Sequence, residues 1–252
     1  MGVRHHRSLS LLAAAMAVVT AACTGGSSTP TSGSTEVSFT TSDGVRLSGR
    51  VFGPGDASAG VVLAHMLPAD QSSWYPEASH LAGMGYRVLT FDLRGYCPGG
   101  DAGCSQGSKD PNMAPTDLTA ALAFLRKGGP TRVALVGASV GGTAALIVAS
   151  QQPNIPGVIT LSAPEVLNTL AVTTDVLAAI TGAKLFIAAL GDPAGAAQAA
   201  EDLESRSPAP KRLEIVQTDD HGTDLLTGAQ GTHVSQLIDA WLAQYLHAET
   251  GP

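Results

Sequence analysis

A serine in a glycine-rich turn is the residue of this sequence best suited to act as a nucleophile. Ser139 stands in Gly137-Ala138-Ser139-Val140-Gly141, after an apolar run at residues 132–137 and before a small, apolar segment at 143–149. A serine at a sharp turn from strand to helix projects its hydroxyl above the sheet, and glycines two residues to either side permit the strained backbone. The pattern therefore predicts a nucleophilic serine.

The elements that would hold this turn alternate along the chain. Short runs of Val, Ile, Leu and Phe are separated by Gly and Pro turns or by segments of helical periodicity, which indicates an α/β fold: a mostly parallel sheet with helices on both faces. We expect helices near 118–125, over 143–149 and over 234–245. Residues 162–184 have room for one short helix, so we expect no large lid. Eight strands are predicted, at 36–40, 45–52, 60–65, 87–92, 132–137, 157–162, 184–190 and 212–217. The first two form an antiparallel hairpin around Asp43-Gly44, a type I′ turn signal.

Three motifs, in this order, resemble those of the α/β-hydrolase superfamily. His65-Met66-Leu67-Pro68 is similar to the family's His-Gly-x-Pro turn, Phe91-Asp92-Leu93-Arg94-Gly95-Tyr96 to its Asp-x-Arg-Gly-x-Gly motif, and residues 137–141 to its nucleophile turn. Met66 and Cys97 stand where the family has glycine. The resemblance covers nearly all of the globular part. It implies the α/β-hydrolase fold and an esterase-like or dienelactone-hydrolase-like enzyme with a small cap or none, acting through serine because the turn carries no cysteine.

A serine hydroxyl needs a base, and the base needs a carboxylate to orient it. In the family the chain order is Ser, acid, His. Asp192 follows the strand at 184–190 and His221 follows the last strand, so we assign Ser139, Asp192 and His221 as the triad. The alternative acids are Glu165, Asp219 and Asp220. Asp192 is also interpretable as the cap of a helix that begins at Pro193.

Backbone N–H groups should stabilise the oxyanion of the tetrahedral intermediate. Val140, at the start of a helix, is one expected donor because the helix dipole adds to its effect. The family pattern implies Leu67 as the second donor, with Met66 as the alternative. No metal and no organic cofactor is implied.

The first 22 residues have the layout of a secretory signal peptide. Arg4 and Arg7 precede an apolar run at 9–19, which is too short to span a bilayer, and Ala21-Ala22-Cys23 ends the segment. The placement of Cys23 resembles a bacterial lipobox, although Thr20 replaces the usual aliphatic residue. We therefore expect an exported lipoprotein, held by acyl chains on Cys23 at the extracytoplasmic face of the cell membrane. The alternative is an ordinary cleaved signal peptide.

The remaining sequence predicts one globular domain. Residues 23–35 form the lipidated cysteine and a Gly/Ser/Thr/Pro tether, and residues 36–252 form a single domain. The net charge is −7 and basic stripes are absent, which argues against nucleic acid as a partner. A monomer is favoured. Export to an oxidising compartment favours a disulfide between Cys97 and Cys104 over two free thiols.

Together these features predict a membrane-tethered serine hydrolase that cleaves small-molecule or lipid carboxylic esters. Two alternatives stay open. One is acyl transfer to an acceptor in the cell envelope, because the same triad serves both reactions. The other is a non-catalytic binding lipoprotein that keeps the fold.

Overall fold

The computed structural model describes residues 1–3, 33–97 and 104–246. The predicted signal peptide from residue 4 onward, Cys23 and the tether as far as residue 32 lie outside the described residues. Within the described ranges, none of the helices has the length and apolar character needed to cross a bilayer.

Eight strands form one sheet. The strands of the described chain are β1 Ser34–Thr40, β2 Arg46–Phe52, β3 Ala59–Ala64, β4 Arg87–Phe91, β5 Arg132–Ala138, β6 Gly157–Leu161, β7 Val166–Leu167, β8 Leu170–Ala171, β9 Ala183–Ala189 and β10 Lys211–Val216. All except β7 and β8, which pair only with each other, belong to the main sheet in the order β1-β2-β4-β3-β5-β6-β9-β10. Strand β2 pairs antiparallel with β1 and β4, and every other pairing in this sheet is parallel. The predicted sheet is confirmed.

Helices cover both faces of the sheet. They are α1 Tyr75–Gly83, α2 Ala114–Lys127, α3 Val140–Gln151, α4 Thr174–Ala179, α5 Ala196–Arg206 and α6 Gly231–Tyr245. Because side chains alternate along a strand, Val62 and Ala64 of β3 join the core under α2, α3, α4 and α5. Val61 and Leu63 of the same strand join the core under α1 and α6. The central strands are thus buried on both sides, which explains their unbroken apolar sequence.

The Asp-x-Arg-Gly segment after β4 joins three parts of the chain. The guanidinium of Arg94 donates to Asp117 of α2 at 2.6 Å and to Asp43 of the β1–β2 turn at 2.8 Å. Arg94 and Asp117 are buried, so the pair is desolvated and each charge depends on the other. The motif therefore holds the opening hairpin against the helix layer.

Two local expectations were wrong. A type I′ turn needs two successive residues with positive φ, but of this pair only Gly44 has one (86°). The turn is instead closed by Gly44 N–H to Thr41 O and by Thr41 N–H to Val45 O. Helix α5 begins at Ala196 and not at Pro193. The single short helix expected before β9 is α4, but it is accompanied by the small β7–β8 hairpin.

Candidate active site

Residues far apart in the sequence meet at one edge of the sheet. Strands β3, β5, β6, β9 and β10 are parallel, so the segments that follow them lie along the same edge. These segments carry Met66 and Leu67, Ser139, Ser162, Asp192 and His221, in that order. Ligands of open α/β sheets bind at this carboxyl edge.

Ser139 lies in the turn between β5 and α3 in a strained backbone conformation. Its φ of 49° and ψ of −118° are sparsely populated by residues other than glycine, at a cost on the order of 1–3 kcal/mol. The turn is held from both sides. The Ser139 N–H donates to Leu161 O of β6 at 2.8 Å, and the Ser139 carbonyl accepts from Gly142 N–H at 2.9 Å. The predicted order of strand, turn and helix is therefore present.

The glycines of this turn are required by close backbone contacts. A Cβ on Gly137 would lie 2.2 Å from the carbonyl oxygen of Gly141. A Cβ on Gly141 would lie 2.3 Å from the carbonyl oxygen of Ala64, the last residue of β3. Neither backbone group can move without disturbing the sheet, so the spacing of glycines around Ser139 is a packing requirement.

Asp192 and His221 form a hydrogen-bonded pair. The distance from His221 Nδ1 to Asp192 Oδ2 is 2.6 Å, and the Asp192 side chain is almost fully buried while that of His221 is 29% exposed. The other carboxylate oxygen of Asp192 accepts from Ala194 N–H at 2.9 Å. Asp192 thus both closes a turn ahead of α5 and holds the imidazole through Nδ1, which leaves Nε2 free to act on a proton.

Ser139 and His221 line the same cavity, which has a volume of about 510 Å³. In the described residues the Ser139 hydroxyl has no hydrogen-bond partner, so the serine and the imidazole share a cavity without being bonded. Catalytic hydrogen bonds are often long in substrate-free enzymes and tighten when substrate binds. The arrangement is compatible with proton transfer between the two side chains.

None of the alternative acids forms a hydrogen bond with the His221 imidazole in the described structure. Glu165 lines the cavity, but its carboxylate accepts from Arg206 at 2.7 Å, with both side chains about one-third exposed. Asp219 is exposed, and the carboxylate of Asp220 lies against Gly228. Of the four acids considered, Asp192 alone is bonded to the imidazole.

The turn after β3 contains Leu67 and Met66, the residues whose backbone N–H groups were predicted as alternative oxyanion donors. His65 Nδ1 lies 2.8 Å from the Met66 carbonyl oxygen, and His65 Nε2 accepts from Leu93 N–H at 3.0 Å, which places the ring proton on Nδ1. In a trans peptide the C=O and the following N–H point in opposite directions, so the Leu67 N–H is directed away from His65. Val140 is the first residue of α3, where an amide has no partner within its helix.

Burial keeps His65 neutral. Desolvation lowers the pKa of His65 to about 4, although the hydrogen bond to Met66 acts in the opposite direction. A neutral ring is required here because Nε2 serves as an acceptor. His65 therefore fixes the orientation of the Met66–Leu67 peptide through one donor and one acceptor.

A second polar network supports the same loop and was missed by the sequence analysis. Asp92 accepts from the backbone N–H of Gln71 at 2.9 Å and from its side-chain amide at 2.6 Å, and Thr90 donates to Gln71 Oε1 at 3.0 Å. Burial raises the pKa of Asp92 to about 6, against these hydrogen bonds. The Asp of the Asp-x-Arg motif was the available signal. Its partner Gln71 belongs to no motif.

The cavity wall is mostly apolar and built from small elements. Its lining includes Pro164, Val166 and Leu167 around β7, and Ala194, Ala196 and Ala199 at the start of α5.

Ser162, which directly follows β6, also lines the cavity. It has a φ of 54°, and its buried hydroxyl has no partner in the described structure. The sequence analysis did not identify Ser162, because a serine at a strand end carries no motif.

His80, His233 and Trp74 do not line the cavity. His80 of α1 pairs with Asp239 at 2.8 Å, and His233 of α6 lies 3.1 Å from Glu214. Trp74 is fully buried in the core, where it does not line the cavity. Cys97 and Cys104 form a disulfide with Cα atoms 4.8 Å apart.

A larger cavity, of about 720 Å³, lies between the opening hairpin and α2. Its lining includes Phe39, Phe124, Arg87 and Lys127, and none of the described residues that line it is a histidine or carries a carboxylate. It therefore lacks the base and acid that nucleophilic catalysis requires. No group of three metal-binding side chains is found within 33–97 and 104–246.

Comparison with known proteins identifies the fold. The family model described as alpha/beta hydrolase fold matches residues 61–180, from β3 to the end of α4. No curated protein matches the chain.

Solved structures with the same architecture include several esterases. An esterase from Pyrococcus furiosus is 18% identical, with a TM-score of 0.71 over 85% of this chain and 93% of its own. A thermophilic esterase from Thermogutta terrifontis is 18% identical, with a TM-score of 0.67 over 83% of this chain and 98% of its own. The esterase domain of a Rhodothermus marinus protein is 21% identical, with a TM-score of 0.65 over 85% of this chain and all of that domain. The chain therefore has the α/β-hydrolase fold, as its three motifs predicted.

Proposed function

We propose that this protein is a serine hydrolase that cleaves carboxylic esters, with Ser139 as nucleophile, His221 as base and Asp192 as the orienting acid. The observation that carries the proposal is the shared cavity. Ser139 and His221 both line it, and His221 is held by a buried carboxylate at 2.6 Å. The esterases of the same fold support the same reaction class.

The reaction follows from the roles of these groups. His221 Nε2 takes the Ser139 proton while Ser139 Oγ attacks the ester carbonyl carbon. The N–H groups of Val140 and Leu67 stabilise the oxyanion of the tetrahedral intermediate. The alcohol leaves with the proton from His221, and the acyl group stays on Ser139. Water, deprotonated by His221, then attacks the acyl-enzyme and releases the acid.

The cavity favours esters with short or medium acyl chains. Its volume of about 510 Å³ lies within the range of small-molecule sites, and its lining near Ser139 consists mainly of small apolar side chains. The segment between β6 and β9 contributes only a two-stranded hairpin and a helix of six residues. Such a cap leaves the cavity open to solvent.

We further propose that the enzyme is exported and tethered to the outer face of the cell membrane through Cys23. The support is the sequence: a signal-like segment, a cysteine in the lipobox position and a following polar tether. Metabolic labelling with a fatty-acid analogue, compared between wild type and Cys23→Ala, tests the anchor. Label in wild type alone supports it, and equal absence of label contradicts it.

Covalent labelling tests the nucleophile directly. Wild type should react with a fluorophosphonate probe and hydrolyse chromogenic esters. Ser139→Ala should do neither, with a loss of turnover on the order of 10⁴-fold or more. Circular dichroism and thermal unfolding show whether both proteins are folded. A folded wild type that hydrolyses no ester of a chain-length series and resists labelling would favour a binding protein.

Two matched variants test the acid. Asp192→Asn should lower kcat by about 10⁴-fold, because the amide can donate to Nδ1 and so stabilise the wrong tautomer of the imidazole, and because it has no charge to stabilise the imidazolium. Glu165→Gln removes a carboxylate from the same cavity but leaves the His221–Asp192 pair intact, so kcat should change by less than about threefold. The reverse pattern would assign Glu165 as the acid.

Product analysis separates hydrolysis from acyl transfer. Reactions with glycerol or a sugar present should yield the free acid as the main acyl product. A predominantly acylated acceptor would show that the acyl-enzyme is resolved by transfer to an alcohol and not to water.

A further inference from the structure

Met66 occupies a position of the oxyanion turn at which the family pattern has glycine. The departure adds a side chain at the oxyanion turn. Met66 is buried, with 8% of the residue exposed, and it belongs to the same apolar cluster as Ala138, the residue before Ser139. Met66 does not line the cavity. Its side chain therefore packs behind the catalytic groups.

The side chain of Met66 lies directly against the residue that follows the base. Gly222 is buried and has a φ of 57°. A Cβ on Gly222 would lie 2.5 Å from Met66 Sδ and 3.4 Å from both Met66 Cβ and Ala138 Cβ. A methyl group at position 222 would require the thioether to move, so the Gly222 backbone and the Met66 side chain are in direct contact.

His221 is thus fixed from two directions. Its ring is bonded to Asp192, and its backbone leads into the turn Gly222–Leu226, in which Asp224 N–H donates to His221 O at 3.1 Å. Leu225 in that turn is fully buried. A change in the volume of the side chain at position 66 would consequently shift the backbone that carries the imidazole.

We infer that Met66 is a positioning residue: its side chain sets the separation between the oxyanion turn and the His221 loop. The inference rests on the proposed function and adds a residue to it. Because the side chain touches His221's neighbour and lies outside the cavity wall, a change there should alter kcat and leave KM nearly unchanged. A misplacement of about 1 Å in such a site costs up to roughly a hundredfold in rate.

A double-mutant cycle between positions 66 and 222 tests the inference. Met66→Ala should lower kcat by about tenfold, and Met66→Leu, which conserves volume, should retain most of it. Gly222→Ala should lower kcat by about a hundredfold in the wild-type background, but by about tenfold or less in the Met66→Ala background, where the thioether is gone. The strain of alanine at positive φ is common to both backgrounds and cancels.

Urea unfolding of the same four proteins gives a readout that does not depend on activity. Gly222→Ala should lower the unfolding midpoint less when Met66 is already alanine. Equal losses of kcat from Gly222→Ala in both backgrounds, or a full kcat in Met66→Ala, would overturn the inference while the wild type remains an active hydrolase. A wild type without ester hydrolysis overturns the proposed function instead, and additive unfolding midpoints would then reject the contact itself.

Discussion

The turn that holds Ser139 and the hairpin that forms the cavity wall are built in opposite ways. In the turn, the backbones are in close contact: a Cβ on Gly141 would lie 2.3 Å from Ala64 O, at the end of β3. In the hairpin, β7 and β8 have two residues each, and Val166 is 64% exposed. The position of Ser139 is therefore set by close backbone contacts that leave no space for a side chain at positions 137 and 141. The shape of the cavity depends on side chains that can change without disturbing the core.

The largest effect on stability is expected from a substitution in the turn that holds Ser139. Gly141→Ala should lower the free energy of unfolding by about 3 kcal/mol or more, because the new Cβ meets two backbone carbonyls of the β3 end. Chemical denaturation with fluorescence detection measures the change. Fluorophosphonate labelling should fall with it.

Gly83→Ala is the matched control for Gly141→Ala. Gly83 is the exposed last residue of α1, and nothing lies within 4 Å of a Cβ placed there. The substitution should leave stability unchanged or raise it by up to about 1 kcal/mol. Comparable destabilisation by both alanines would mean that close backbone contact does not fix the turn.

The pH dependence of stability tests the burial of His65, which supports the turn after β3. The folded-state pKa of His65, about 4, lies below its ordinary value of 6.5. The lowered pKa of His65 therefore contributes ~3 kcal/mol to the free energy of unfolding. This contribution is fully present above pH 6.5 and is lost as pH falls through about 4. His65→Gln, which does not titrate, should be less stable at pH 7 and should lose less stability between pH 6.5 and 4.

Urea unfolding of both proteins across that pH range measures the difference. Asp92, whose pKa is raised to about 6, contributes in the opposite direction, with stability lost as pH rises from about 4 through 6. Because both proteins contain Asp92, its effect cancels in the comparison. Parallel pH profiles for wild type and His65→Gln would show that His65 is not buried in its neutral form.

The smallest effect is expected at the cavity wall. Leu167→Ala should change the free energy of unfolding by less than about 1 kcal/mol, because the side chain is only partly buried. It should raise KM for medium-chain esters by roughly tenfold through lost apolar contact, and alter KM for acetyl esters little. A chain-length series of chromogenic esters provides the measurement. A uniform loss of kcat for all esters would contradict this prediction, because it would mean that Leu167 helps to position the catalytic groups and does not merely contact the acyl chain.

The sequence was most informative where one local pattern is required by the fold. The continuous apolar runs at 133–138 and 185–189 are buried on both faces of the sheet, and the glycines at 137 and 141 are needed for close approach, so each pattern has a single explanation. Asp192 was identified by its place after a late strand. The hydrogen bond to His221 then distinguishes it from Glu165.

Features that depend on contacts between distant residues could not be predicted in this way. Gln71 and Asp92 are 21 residues apart, and Glu165 and Arg206 are 41 apart, so their pairing requires the finished fold. The same holds for Met66 and Gly222. The sequence marks Met66 as an exception to the family pattern, but only the three-dimensional arrangement shows which backbone it supports.

The register of the opening strands has a consequence for orientation. Ser34, where β1 begins, pairs with Phe52, and Phe52 pairs with Val88 near the start of β4. The chain therefore enters the sheet at the amino ends of its parallel strands, opposite the edge that carries Ser139. In a protein held through this entry point, the edge of the sheet that carries Ser139 would lie on the side farther from the point of attachment.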